Sequence, residues 1–160
     1  MTTRHAVTVE INGQIYRGEV EPRLLLCDFI REDLGLSGTH VGCEHGVCGA
    51  CTILWNGEPA RSCLAFAVQV DGATLSTVEG MAISVSELHP IQQAFTDAHA
   101  LQCGFCTPGI LMTLQALLTR NHHPTLEEIR EWLSGNLCRC TGYQNILAAA
   151  ELAVKRLAVE

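Results

Sequence analysis

Hydrophobic and polar residues alternate near the start of the chain. Val7, Val9 and Ile11 are separated by polar residues, which is the two-residue period of a strand with one buried face. Asn12-Gly13 follows and favours a two-residue hairpin, because a type I′ turn needs positive φ at both positions. We therefore predict a returning strand from Gln14 to Val20.

The next apolar residues repeat with the period of a helix that starts after Pro22 and stops at Gly35. Its apolar face comprises Leu26, Phe29, Ile30 and Leu34. A glycine-rich cysteine loop from about Ser37 to Cys51 leads into a second hairpin that turns at Asn56-Gly57. Hairpins packed around one helix indicate a β-grasp sheet.

The apolar pattern becomes helical in the second half, from about Ser84 onward. We predict helices from Pro90 to about His99, from Thr107-Pro108, from Thr125 and from near Thr141. Thr125 precedes a glutamate by three residues and Thr141 a glutamine, so each has the pattern of a capping box. The last helix ends with two basic residues, which suit the helix dipole.

The segment from Gly72 to Ile83 is interpreted as the junction between the halves. We therefore predict an α+β chain with a plant-ferredoxin-like β-grasp domain over residues 1–80 and a four-helix domain over residues 81–160.

Composition narrows the functional classes. Hydrophobic residues make up 48% of the chain and charged residues 17%, so part of the surface is expected to lie against a partner. The net charge is −7 and no Lys/Arg stripe is present, which argues against a nucleic-acid partner. We find no signal peptide and no run of about 20 apolar residues, and we expect a cytoplasmic protein without a membrane span.

The chain has nine cysteines, which in a reducing compartment favour metal binding over disulfides. A secreted disulfide scaffold fits neither the odd count nor the missing signal peptide. Cys27 lies in an apolar run and is interpreted as a small buried hydrophobic residue.

Four cysteines form a first set with the spacing C-x4-C-x2-C-x11-C, namely Cys43, Cys48, Cys51 and Cys63. Three of them lie within nine residues among glycines, which let the backbone wrap closely around an inorganic core. This pattern is typical of a plant-type [2Fe–2S] cluster. Zinc sites usually pair two short cysteine hooks and fit this spacing less well.

The second set has the spacing C-x2-C-x31-C-x-C and comprises Cys103, Cys106, Cys138 and Cys140. Its spacing alone is compatible with an iron–sulfur cluster, with tetrahedral zinc or with a redox dithiol pair. Cys106 and Cys140 each come just before a predicted helix, whose N-terminus favours an anionic cluster.

Three stretches resemble the small iron–sulfur subunit of molybdenum hydroxylases of the xanthine oxidase family. They are GCEHGVCGAC over residues 42–51, QCGFCTPG over 102–109 and GNLCRCTGY over 135–143. The chain is most similar to small subunits of the aerobic carbon monoxide dehydrogenase and bacterial N-heterocycle hydroxylase types, over essentially its whole length. The resemblance implies a β-grasp domain and a four-helix domain with one [2Fe–2S] cluster each.

By resemblance, Cys43, Cys48, Cys51 and Cys63 bind the outer cluster, nearer solvent and the flavin. Cys103, Cys106, Cys138 and Cys140 bind the inner cluster. Gln102 is implied to hydrogen-bond the pterin of a molybdenum cofactor held by a partner, with Cys140 close by.

The resemblance implies an oxidoreductase subunit with no catalytic residue of its own. Electrons would pass from molybdenum in a large subunit through both clusters to FAD in a medium subunit or to another acceptor, within a dimer of heterotrimers. The chain has no G-x-G-x-x-G fingerprint, so FAD and molybdopterin dinucleotide are expected in partners. The alternatives are a stand-alone ferredoxin, which leaves the helical half unexplained, and a colourless zinc-stabilised module.

Overall fold

A five-stranded mixed sheet forms the first half of the computed structural model, which describes residues 3–84 and 86–158. Its strands are β1 (His5–Ile11), β2 (Gln14–Val20), β3 (Thr52–Trp55), β4 (Glu58–Arg61) and β5 (Thr74–Ser76). Their order in the sheet is β2-β1-β5-β3-β4, and only the β1·β5 pair is parallel.

Both predicted hairpins are present. Asn12 and Gly13 have φ values of 52° and 76°, and Asn56 and Gly57 have 50° and 86°, as type I′ turns require. Val7, Val9 and Ile11 are buried, which confirms the alternation predicted for β1.

The predicted junction from Gly72 to Ile83 is wrong in one respect, because it contains β5. Glu10 and Ile11 of β1 pair with Thr74 and Leu75 of this strand, which also pairs with β3. A three-residue strand is too short to show an alternating pattern, and both of its partners are distant in sequence. The sequence therefore gives no local signal for the strand at the centre of the sheet.

The helix predicted after Pro22 is shorter and less regular than expected. One turn of α-helix, α1 (Leu26–Asp28), continues as a π-helical segment from Phe29 to Asp33. The amide of Leu34 donates to the carbonyl of Phe29, five residues back. The predicted apolar face is nevertheless confirmed, and its residues pack into the core under the sheet.

Four helices form the second half, as predicted: α2 (Pro90–Asp97), α3 (Thr107–Arg120), α4 (Leu126–Leu133) and α5 (Gln144–Leu157). Helix α3 is central and is buried on most sides. It also packs on β3, where Met112 and Ala116 meet Leu54, so the two halves share an apolar contact. Within the described ranges, no helix is long and apolar enough to cross a membrane.

The helix starts differ in how well the sequence predicted them. The capping box at α4 is confirmed: the Glu128 amide donates to the Thr125 hydroxyl, and the Thr125 amide donates to the Glu128 carboxylate. The capping box predicted at Thr141 is wrong, because α5 starts three residues later at Gln144. The Thr141 hydroxyl instead lies 3.2 Å from the Cys138 sulfur. Helix α3 starts at Thr107 with Cys106, not Thr107, at its N-cap.

Candidate metal centres

The first cysteine set is carried by one loop and the hairpin that follows it. The loop reverses direction at Glu44, Gly46 and Gly49, which have φ values of 56°, 81° and 74°. Cys51 comes directly before β3, and Cys63 lies in the short 3₁₀ helix after β4. Because the β3–β4 hairpin returns the chain to its starting point, these two cysteines become neighbours.

The four thiols of this set are arranged as two pairs. Cys43 and Cys48 share a side-chain hydrogen bond, and the Cys48 amide also points at the Cys43 sulfur, 3.4 Å away. Cys51 and Cys63 form the second pair. Cys63 also interacts electrostatically with Cys43, so the two pairs adjoin.

The loop backbone favours negative charge at one of these sulfurs. Hydrogen bonds from the amide of Cys48, and then from that of His45, lower the pKa of Cys43 to about 6. Burial and the neighbouring Cys51 thiol raise the pKa of Cys63 to about 11. A glycine-rich loop that aims N–H groups at sulfur is suited to hold an anionic cluster.

The second cysteine set is assembled from two distant segments. Cys103 and Cys106 lie in the turn before α3, and Cys138 and Cys140 lie in the loop before α5. The sulfurs of Cys103 and Cys140 are 3.5 Å apart, and Cys106 shares a side-chain hydrogen bond with Cys138. Each pair therefore joins one segment to the other.

The pKa values of the two thiols of the Cys106–Cys138 pair shift in opposite directions. Burial raises the pKa of Cys106 to about 12, with the neighbouring Cys138 thiol as the next cause. Burial also opposes ionisation of Cys138, but hydrogen bonds from Thr141 lower the pKa of that thiol. The Cys103 thiol raises the pKa of Cys140. Because metal ligands must be thiolates, filling this set would release protons.

The paired arrangement decides which kind of metal centre fits. Tetrahedral zinc needs four ligands around one ion. Two adjoining pairs instead match a two-iron centre, in which four cysteines are divided between two irons. The donor chemistry and the pairing therefore fit a [2Fe–2S] cluster in each set.

Comparisons with known proteins agree with this division. Residues 9–76 match the family described as 2Fe-2S iron-sulfur cluster binding domain, and residues 77–151 match the [2Fe-2S] binding domain. The chain is 57% identical over 148 residues to the caffeine dehydrogenase subunit gamma of Pseudomonas sp. (strain CBB1), covering 91% of this chain and 88% of that one. It is 46% identical to the nicotinate dehydrogenase small FeS subunit of Eubacterium barkeri, covering 95% and 96%.

A solved structure shows the same fold. Quinoline 2-oxidoreductase from Pseudomonas putida 86 superposes with a TM-score of 0.92 at 46% identity, covering 98% of this chain and 97% of that one. The chain is a small iron–sulfur subunit of the molybdenum hydroxylases. This small subunit binds two [2Fe–2S] clusters and transfers electrons within a multi-subunit oxidoreductase. The stand-alone ferredoxin alternative is not supported.

Gln102 and the Cys103–Cys140 pair of the second set lie at the surface of the small subunit. Gln102, Cys103 and Cys140 are all exposed. The first set is more enclosed, since Cys51 and Cys63 are buried. The second set therefore has a side that is open to another molecule.

Cys27 is wholly buried, as predicted, but its position beside the first set was not foreseen. It contacts Cys51 and Cys63, and burial raises the pKa of its thiol to about 12. The apolar run around Cys27 places this residue in the core, but it cannot show which loop covers that part of the core.

Backbone contacts between the two cysteine segments were also missed. The Leu137 amide donates to the Cys48 carbonyl at 2.8 Å, and Cys138 follows directly in the chain. Arg61 donates to the Gly135 carbonyl at 2.7 Å. Nothing in the spacing of the cysteines indicates that the two sets touch in this way.

Proposed function

We propose a residue-by-residue assignment of the two clusters. One is bound by Cys43, Cys48, Cys51 and Cys63, and the other by Cys103, Cys106, Cys138 and Cys140. We further propose that the domains divide as residues 1–80 and 81–160. Each cluster, when bound, takes up and releases one electron at a time. The chain's cysteines bind it, and the neighbouring residues determine its solvent exposure and hydrogen bonds.

One observation carries the electron-transfer route. A hydrogen bond between the backbones of Leu137 and Cys48 joins the two cysteine sets. Cys48 belongs to the first set, and Leu137 directly precedes Cys138 of the second. Electron tunnelling weakens steeply with distance, so two adjoining centres divide one long transfer into short ones. This arrangement supports passage from one set to the other inside the chain.

Exposure supports the direction of electron transfer that we propose. The surface pair Cys103–Cys140, with Gln102 beside it, supports a second set that faces a molybdenum–pterin centre in a large partner subunit. Gln102 would donate or accept a hydrogen bond at the pterin. Electrons would then reach the first set and leave to FAD in a medium subunit or to another acceptor.

Exposed apolar side chains next to the cysteines support partner binding. They are Val47 (57% exposed), Leu64 (63%), Phe105 (46%) and Leu137 (53%). Large apolar side chains that share one region of a soluble chain favour burial by another protein. We propose that partner subunits cover them, in a dimer of heterotrimers located in the cytoplasm.

The experiment that tests this function measures iron and acid-labile sulfide per chain, with EPR of the dithionite-reduced protein. We expect about four irons and two distinct [2Fe–2S] signals. About two irons, with zinc in the second set, would overturn the assignment of that set and interrupt the route to molybdenum.

A second measurement addresses the partners. The chain, purified gently from its source, is expected to bring larger subunits with it, and the complex is assayed with caffeine, nicotinate and quinoline, the compounds for which its relatives are named. The isolated small subunit is expected to turn over none of them. Hydroxylation by the pure small subunit would contradict the proposal.

A further inference from the structure

A buried asparagine joins the two cysteine segments. Asn136 is 1% exposed, although its amide can make several hydrogen bonds. Its Nδ2 donates to the carbonyl of Gly49 at 3.0 Å and lies 3.4 Å from the hydroxyl of Thr52. Its Oδ1 accepts a 3.0 Å hydrogen bond from the hydroxyl of Thr113 on α3. One side chain thus contacts the first cysteine loop, the sheet and the central helix.

The surroundings allow this side chain a single position. The Gly49 carbonyl fixes the amide orientation, because only the amide nitrogen can donate to it, and this places the amide oxygen against the Thr113 hydroxyl. The Thr113 hydroxyl also lies 2.9 Å from the Gly109 carbonyl, so its single proton is shared between two acceptors. Gly49 leaves no room, because a methyl group there would overlap the Gly135 carbonyl and come within 2.8 Å of the Asn136 amide. Gly109 lets the start of α3 approach the carbonyls of Gly49 and Ala50 in the same way.

Asn136 lies beside the residues that connect the two sets. Its neighbour Leu137 donates to the Cys48 carbonyl, and Cys138 is the next residue. Gly49 follows Cys48 on the other side. The Asn136–Gly49 and Leu137–Cys48 hydrogen bonds therefore run side by side between the two cysteine segments.

We propose that Asn136 is a positioning residue that fixes the separation of the two clusters and so sets the rate at which electrons pass between them. This inference rests on the proposed cysteine assignment. In the transfer, one electron leaves the cluster of the second set and reduces that of the first, and no bond is formed or broken. Asn136 contacts neither cluster's cysteines through its side chain and acts only through the backbone that it holds.

The test compares Asn136→Ala with the unaltered protein by EPR after full reduction with dithionite. Two reduced [2Fe–2S] clusters are both paramagnetic, and their magnetic coupling depends steeply on the distance between them. We expect Asn136→Ala to keep about four irons per chain and both cluster potentials, while the splitting of the EPR signals that is due to coupling decreases. An unchanged splitting in a fully loaded variant would overturn the proposal.

Met112→Ala is the matched control. Met112 is also buried between the halves, where it packs on Leu54, but its side chain makes none of the hydrogen bonds that join Asn136 to Gly49, Thr52 and Thr113. The Met112→Ala variant is expected to have a lower melting temperature and an unchanged splitting of the EPR signals. A merely structural role of Asn136 would give the same result for both variants, and that result would contradict the proposal.

A second variant tests the proposal if Asn136→Ala does not fold. Thr113→Val removes the hydroxyl that contacts the amide oxygen but keeps Asn136 and nearly the same volume. If Asn136→Ala does not fold or load iron, a decreased splitting in Thr113→Val supports the proposal, and an unchanged one rejects it. Loss of two irons in the unaltered protein would instead be a failure of the cysteine assignment, and the iron count distinguishes the two.

Discussion

The two cysteine sets reach similar paired arrangements by different means. The first is built by a loop and the hairpin after it, so turn geometry brings its members together. The second joins the turn before α3 to the loop before α5, and only the packing of the helices brings its members together. A ligand set made by one loop depends on local conformation, whereas one made by two helix starts depends on the whole domain.

Removing one cysteine from each set should have the largest effect. We expect Cys51→Ser and Cys138→Ser each to lower the iron content from about four to about two per chain, with a different EPR signal lost in each case. Cys138→Ser should also lower the melting temperature more, because the second cluster closes a longer loop of chain. Iron analysis, EPR and thermal unfolding measure these effects.

Cys27→Ala is the control for this pair of variants. Cys27 is buried beside the first set but belongs to neither pair. The Cys27→Ala variant should retain about four irons per chain. Equal loss of iron in Cys27→Ala and Cys51→Ser would contradict the cysteine assignment, and equal melting temperatures for the two serine variants would contradict the difference drawn between the sets.

A glycine-to-alanine substitution tests how strongly the first loop depends on its contact with the second half. Gly49 and Gly57 have φ values of 74° and 86°, so alanine at either site adopts a left-handed conformation that costs about 1–2 kcal/mol. Only at Gly49 does a methyl group also overlap the Gly135 carbonyl, because nothing lies within 4 Å at Gly57. Denaturant unfolding should therefore show a larger loss of unfolding free energy for Gly49→Ala. Equal losses would mean that Gly49 is not tightly packed against Gly135.

The smallest effect is expected at a helix start that is remote from both sets. Thr125→Ala removes the hydroxyl that accepts from the Glu128 amide and should lower the unfolding free energy by about 1 kcal/mol. Iron content and both EPR signals should remain unchanged, since α4 begins away from the cysteines. Loss of a signal in this variant would show that the second set depends on every helix rather than on the two helix starts that carry it.

Local signals predicted the parts of the fold that are local. Asn-Gly turns, alternation in β1 and the capping box at Thr125 each depend on neighbouring residues, and each prediction is confirmed. The prediction at Thr141 failed because that hydroxyl faces the Cys138 sulfur, and the cysteine loop displaces the start of α5. β5 was missed because its stability comes from partners that are far away in sequence.

The same distinction applies to the site. Spacing predicted which cysteines belong together, and resemblance extended this to the second set, where spacing alone left zinc and iron–sulfur open. The contact between the sets could not be predicted, because Asn136 and Gly49 are 87 residues apart in the chain and meet where the two halves pack together. A polar residue between Gly135 and Leu137 has no distinctive pattern until its burial is known.

The central position of β5 also determines the order in which the molecule can form. β1 precedes the other strands of this sheet in the chain, yet it lacks one neighbour until residues 74–76 have been made. Pairing of such distant segments is slow, because the intervening chain must be closed into a loop before any contact compensates for it. During synthesis on the ribosome, the cysteine loop therefore emerges before the sheet that supports it is complete, and the first cysteine set is fully supported only once the last strand of the first half has been made.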